Sequence, residues 1–158
     1  MFQHHQIHTR PLLVGAIVTL CLMNPLTLSA HGKATGIVKE RMDMMKTMDR
    51  QMRSIMAMMK GKSSFNTEKI SAYAKSIRVA SPKLPALFPE GSLHKPTEAL
   101  PLIWEEWTQF SALTEKMEKE ATALQVLAVQ DDRAKVSLQF ARLEKTCSGC
   151  HSDFRKED

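Results

Sequence analysis

The chain has 158 residues, with 22 Lys and Arg against 17 Asp and Glu, a net charge of +5, and 43% hydrophobic residues. A basic excess this mild, without a basic block interleaved with aromatics, excludes a nucleic-acid binder. Three cysteines are too few for a disulfide scaffold, and the length suits one core.

The N-terminus reads as an export signal. Arg10 is the one formally charged side chain before Ala30, and the apolar run Leu12 to Met23 behind it is too short to span a bilayer. Small residues at Thr27, Ser29 and Ala30 place cleavage after Ala30. Residues 1–30 are thus predicted to be a cleaved secretory signal, and 31–158 a periplasmic domain with no stable membrane insertion. Cys21 and the His4, His5, His8 cluster leave with the signal. Only Arg10 is lost from the charge count, so 21 basic against 17 acidic residues leaves +4.

The remaining chain is rich in Ala, Leu, Met, Lys, Glu and Gln and free of β-branched runs, which predicts helix throughout. The first helix runs from about Ala34 to Lys60 and stops at Gly61. Val38, Arg41, Met42, Met45, Met52, Met56 and Met59 share one broad face of it, with Met44 and Met58 predicted at the surface. Methionines at this spacing fill a helical core well. Asn66 caps the second helix, which passes Ile70, Tyr73, Ala74 and Ile77 to about Ala80.

A loop studded with Pro82, Pro85, Pro89, Gly91 and Pro96 follows. Pro101 opens the third helix, whose stripe is Ile103, Trp107, Phe110, Met117, Ala121 and Leu124. A turn at Gln130 and Asp131, with Asp132 as cap, leads into the fourth, with Val136, Phe140, Leu143, Cys147 and Cys150 on one stripe. Short connections make neighbours antiparallel, so the expected fold is all-α, an antiparallel four-helix bundle.

Near the end of the fourth helix stands Cys147-Ser148-Gly149-Cys150-His151. C-x-x-C-H is the attachment motif of a c-type haem: each thiol forms a thioether with a haem vinyl, and the histidine ligates the iron. Zinc would need a second pair of Cys or His ligands, and a thioredoxin-like redox pair would need a strand before it. Cys147 and Cys150 are therefore read as the thioether residues of one covalent haem c, with His151 as proximal iron ligand. No paired carboxylates or nucleophile constellation suggests an enzyme. Periodicity leaves Met42, Met45 and Met52 all open as residues facing the iron from the first helix.

The helix beginning Ile37-Val38-Lys39-Glu40-Arg41-Met42-Asp43-Met44-Met45-Lys46, with the terminal Cys147-x-x-Cys150-His151-x-x-Phe154-Arg155, resembles the cytochrome c′ family, the class II c-type cytochromes. Leu87-Phe88-Pro89-Glu90-Gly91, Pro101-x-Ile103-Trp104 and Phe110 match its pattern too. The resemblance implies Met45, four residues after Arg41, as distal iron ligand, with Met42 its competitor, and places the chain in the low-spin, methionine-ligated branch. It also implies that Arg41 pairs with a haem propionate and that Arg155 shields or tunes the proximal side. The function expected from it is electron transfer through six-coordinate His/Met iron, with periplasmic redox proteins as partners. The alternative is a five-coordinate cytochrome c′ binding nitric oxide or carbon monoxide. A minor alternative takes Met42/Met45 and Met56/Met59 as Cu(I) ligands. The family also pairs through its first two helices, which directs attention to Met44, Met48 and Met58 as a homodimer interface.

Overall fold

A computed structural model describes residues 34–157. The predicted signal lies outside the described residues. The helices are α1 (Gly36–Met59), α2 (Thr67–Ala80), a short α3 (Leu102–Glu105), α4 (Trp107–Ala128) and α5 (Arg133–Phe154). Together α1, α2, α4 and α5 form an all-helical, antiparallel four-helix bundle. α4 packs along both α2 and α5, while α1 meets α2 more closely than it meets α5. Among the described residues no helix is long and apolar enough to cross a membrane.

The predicted helix ends are built from the residues that suggested them. At the end of α1, Lys62 N donates to Ala57 O (2.8 Å) and Gly61 N to Met58 O (3.2 Å), with Gly61 at φ +69°. This paired pattern needs a left-handed residue, which glycine supplies without steric cost. Asn66 Oδ1 accepts from Lys69 N at 2.7 Å, and Asp132 Oδ1 accepts from Lys135 N at 3.1 Å. Both side chains thereby satisfy a backbone donor that has no partner inside the helix.

The third predicted helix is interrupted. Pro101 starts α3, but Glu106 leaves helical geometry (φ −112°, ψ 40°) before α4 begins. The break rotates Trp107 off the expected stripe, and it is 39% exposed while Phe110, Met117, Ala121 and Leu124 stay buried. Between α2 and α3 the proline-rich loop winds through two short 3-10 turns at 81–83 and 85–87.

The methionine stripe is centred elsewhere than predicted. The buried line of α1 is Val38, Arg41, Met48, Ile55 and Met58, whereas Met42, Met45, Met52, Met56 and Met59 are half-buried. Met58 is not a surface residue, and Met48 and Met58 cannot serve as an exposed dimer interface. With so many methionines in one helix, an apolar pattern has no unique centre. Packing against α2 draws the buried line towards that side. Met44, which is half-buried, lines a groove between α1 and α2 with Glu40, Asp43, Thr47, Met48, Ser76 and Ala80.

Two clusters divide the interior. The main core joins Met48, Ile55, Ile70, Ile77, Leu124, Phe140 and Leu143 across all four long helices. A smaller aromatic cluster of Phe88, Ile103, Phe110 and Phe154 closes the end where α5 finishes. Phe110 meets Phe88 and Phe154 edge-on at 4.9 and 5.5 Å between centroids, a favoured aromatic geometry.

Candidate haem site

The Cys147–His151 motif occupies the last turns of α5, where the two clusters meet. Cys147 packs against the main core and Cys150 against the aromatic cluster. Phe154, buried in that cluster, anchors the helix end. Both thiols are free and half-buried. Burial raises the pKa of Cys147 and is the largest cause pushing Cys150 up to about 11, followed by the charges of Cys147 and Asp153. Both are therefore protonated at neutral pH. A Cβ built at Gly149 would meet nothing within 4 Å, so the motif's inner residues stand against open space.

His151 reaches solvent at the helix surface. Its pKa lies below 6.5, lowered first by partial shielding of the imidazole from water and then by the charge of Arg155; Asp49 and Glu98 pull the other way. The net result is a neutral imidazole at pH 7, the state in which histidine binds metal.

At 100° per residue, Met45, Met52 and Met56 lie within about 40° of one another, with Asp49 about 40° and Met42 about 60° round α1 from Met45. All three pack against the main core, as does Cys147. Met42 packs against neither cluster. Packing thus sets Met45, Met52 and Met56 against the main core and leaves Met42 outside both clusters.

Arg41, one turn before Met45, is only 4% exposed. Nη2 donates to Ser92 O and Thr97 Oγ1, both at 2.9 Å; Nη1 donates to Leu87 O and Ser92 Oγ, both at 3.3 Å. Its guanidinium carbon lies 4.4 Å from the centroid of the Phe88 ring. Burial lowers its pKa, and it forms no ion pair among those between described residues. All its partners are neutral, so a buried positive charge stands here without a balancing carboxylate.

Arg155 caps α5, its N–H donating to His151 O at 3.1 Å. Its Nε pairs with Glu98 Oε2 at 2.6 Å. An antiparallel bridge joins Ala99 to Arg155, flanked by Leu100 N to Phe154 O (3.0 Å) and Lys156 N to Glu98 O (2.8 Å). Ser92, Thr97, Glu98 and Asp49 are the site residues that sequence reasoning missed. The first three lie in a loop more than forty residues from the arginines they hold, and no local pattern marks such partners.

The cytochrome c′ family profile matches residues 36–155, from the start of α1 to the cap of α5. This chain belongs to the cytochrome c′ family. It is 34% identical over 122 residues to cytochrome c′ of Rhodopseudomonas palustris, covering 77% of this chain and 82% of that protein. It is also 32% identical over 123 residues to cytochrome c-556 of Agrobacterium fabrum, covering 77% and 82%. The solved structure of cytochrome c′ from Rhodopseudomonas palustris superposes with a TM-score of 0.73 at 33% identity, covering 79% of this chain and 99% of that one.

Cytochrome c′ proteins carry one covalently attached haem c, and this chain carries the same group. The residues present fit it. Two free thiols lie one helical turn apart, a neutral imidazole follows them, and a buried guanidinium lacks a counter-anion. Among the described residues no group of three or more His, Cys, Asp or Glu side chains could hold a bare metal ion. The motif therefore suits a haem better than zinc.

Proposed function

We propose that this monohaem cytochrome is exported to the periplasm and carries electrons between redox proteins, with His151 and Met45 as axial iron ligands. Cys147 and Cys150 hold the haem through thioethers. The carrying observation is that Met45 and Cys147 pack against the same core cluster, which Met42 does not join. When bound, the haem supplies an iron that changes oxidation state by one electron, and a Met/His pair raises its potential.

The chain's residues do the rest. Partial shielding from water and Arg155 keep His151 neutral, so its nitrogen lone pair is available. The Met45 thioether comes from a rigid helix whose neighbouring turns are fixed in the core by Met48 and Arg41. Arg41 offers a buried positive charge for a propionate, with Nε–H its one N–H outside the four bonds to the loop. As a carrier the protein turns over no substrate of its own. A second copy would meet it along the groove between α1 and α2.

The comparisons favour a second reading more than they favour the first. Relatives named cytochrome c′, at 34% and 33% identity, support a five-coordinate cytochrome that binds nitric oxide or carbon monoxide. In that case Met45 is core packing, or leaves the iron when the gas arrives. Optical spectra of the holoprotein, oxidised, reduced, and reduced under carbon monoxide, separate the two. Sharp split bands on reduction, a sulfur-to-iron band when oxidised and no response to carbon monoxide support His/Met electron transfer. Broad high-spin bands that shift under carbon monoxide support gas binding.

A further inference from the structure

The break at Glu106 leaves a tryptophan at the surface that is still in ring contact with the interior. Trp107 is 39% exposed, and Leu102, on the short helix before it, is 36% exposed. The indole lies 5.6 Å from Phe110 between ring centroids, and Phe110 lies 5.5 Å from Phe154. Cys150 packs against the same aromatic cluster. A line of packed side chains thus runs from the surface to the attachment motif.

The charge of this corner is opposite to that of the chain. From Glu98 to Thr114 the sequence holds Glu98, Glu105 and Glu106 and neither Lys nor Arg. The end of α5 adds Asp153 and Glu157 against Arg155 and Lys156. The two segments are held together: Gln109 Nε2 donates to Asp153 Oδ2, and Leu100 N to Phe154 O, both at 3.0 Å. Five exposed carboxylates therefore meet two basic side chains here, in a chain whose net charge is +5.

We propose that Trp107 and the acidic corner that carries it form the docking surface for a redox protein whose own face is rimmed with lysine or arginine. This deepens the electron-carrier reading and rests on it. Tryptophan is among the residues that most often carry the binding energy of an interface. The carboxylates steer a basic face to it although the chain is positive, because charges beyond about 10 Å are largely screened. One electron leaves this chain's ferrous haem and enters an oxidised metal centre of the partner; no bond forms or breaks and no proton moves.

The test uses the holoproteins of wild type, Trp107→Ser, Glu105→Lys and Glu68→Lys. Glu68 is exposed at the start of α2, at the other end of the bundle, so the last variant makes the same charge change elsewhere. Two probes stand in for the partner. Tris(phenanthroline)cobalt(III) is a one-electron oxidant, cationic and with aromatic faces; hexaamminechromium(III) is a redox-inert paramagnetic cation. Stopped-flow oxidation by the cobalt complex is expected to slow with added salt in wild type. The rate is expected to fall several-fold in Trp107→Ser and Glu105→Lys and to keep its wild-type value in Glu68→Lys. The chromium complex is expected to broaden the Trp107 indole N–H resonance ahead of that of Trp104, and less so in Glu105→Lys. Glu105 is exposed, so Glu105→Lys folds and decides the matter even where Trp107→Ser does not. Equal rates in wild type and Glu105→Lys, or broadening spread evenly over the surface, overturn the proposal. A dimer in sedimentation that is lost in Trp107→Ser places a second copy on the patch and overturns it too. Failure of the carrier reading shows instead in a wild type that is slow with the cobalt complex, and the broadening still decides where a cation docks.

Discussion

Arg41 lies over the ring of Phe88, 4.4 Å from guanidinium carbon to centroid, while its four terminal N–H groups are directed at Leu87, Ser92 and Thr97. One side chain thus ties α1 to the loop that also reaches the end of α5. Replacing it by methionine keeps much of the volume and strips three residues of their donor. Buried acceptors left unpaired carry their full desolvation cost, so Arg41→Met is expected to lower stability by about 3 kcal/mol. Arg41→Lys is expected to fall between, because a single ammonium cannot span acceptors on Leu87, Ser92 and Thr97 together. Denaturant unfolding of the holoprotein checks both values.

Met45 and Met42 are separated by their packing, and their leucine variants should separate by spectrum. Under the His/Met reading Met45→Leu is expected to replace the low-spin bands with high-spin ones and to admit carbon monoxide, while Met42→Leu keeps the wild-type spectrum. Conversion by Met42→Leu instead would transfer the distal role to Met42. A high-spin wild type unaltered by Met45→Leu would support the gas-binding reading.

Met58 offers a test of where the core lies. It is 5% exposed within the main cluster, so truncation leaves a cavity that the helices cannot close. Met58→Ala is expected to cost about 3 kcal/mol, and Met42→Ala under about 1 kcal/mol. Equal losses in urea unfolding would place the buried line of α1 where the sequence pattern had it.

Two helix caps differ in their response to acid. Asn66→Ala is expected to cost about 1 kcal/mol at any pH, since an amide does not titrate. Asp132 is different: hydrogen bonds from Lys135 to its carboxylate hold its pKa below the ordinary 3.8. The unfolded chain then takes up its proton at higher pH than the folded one. Stability is complete above about 3.8 and falls as pH drops through the lower, folded value. Asp132→Asn is expected to retain the cap and flatten this acid limb, which a pH series of unfolding midpoints would show.

The helices, their caps and the haem motif were legible in the sequence because each depends on residues close in the chain. Gly61 ends a helix through its own φ, Asn66 and Asp132 bond to amides three residues on, and Cys147, Cys150 and His151 need only one helical turn between them. The break at Glu106 and the buried line of α1 were not legible. Both depend on which neighbour a helix packs against, and a helix full of methionines can be turned either way without losing its apolar pattern.

The sequence by itself determined that this is a helical bundle bearing a covalent haem near its C-terminus. Tertiary structure alone decided which methionines are core, that Met45 rather than Met42 packs against the main cluster, and that Thr97 and Glu98 bond to the two arginines. The reason is one of range. Caps and motifs are set within a few residues, whereas a buried charge takes its partners from whatever the fold brings near. For Arg41 and Arg155 those partners lie in one loop, about fifty residues away from each along the chain.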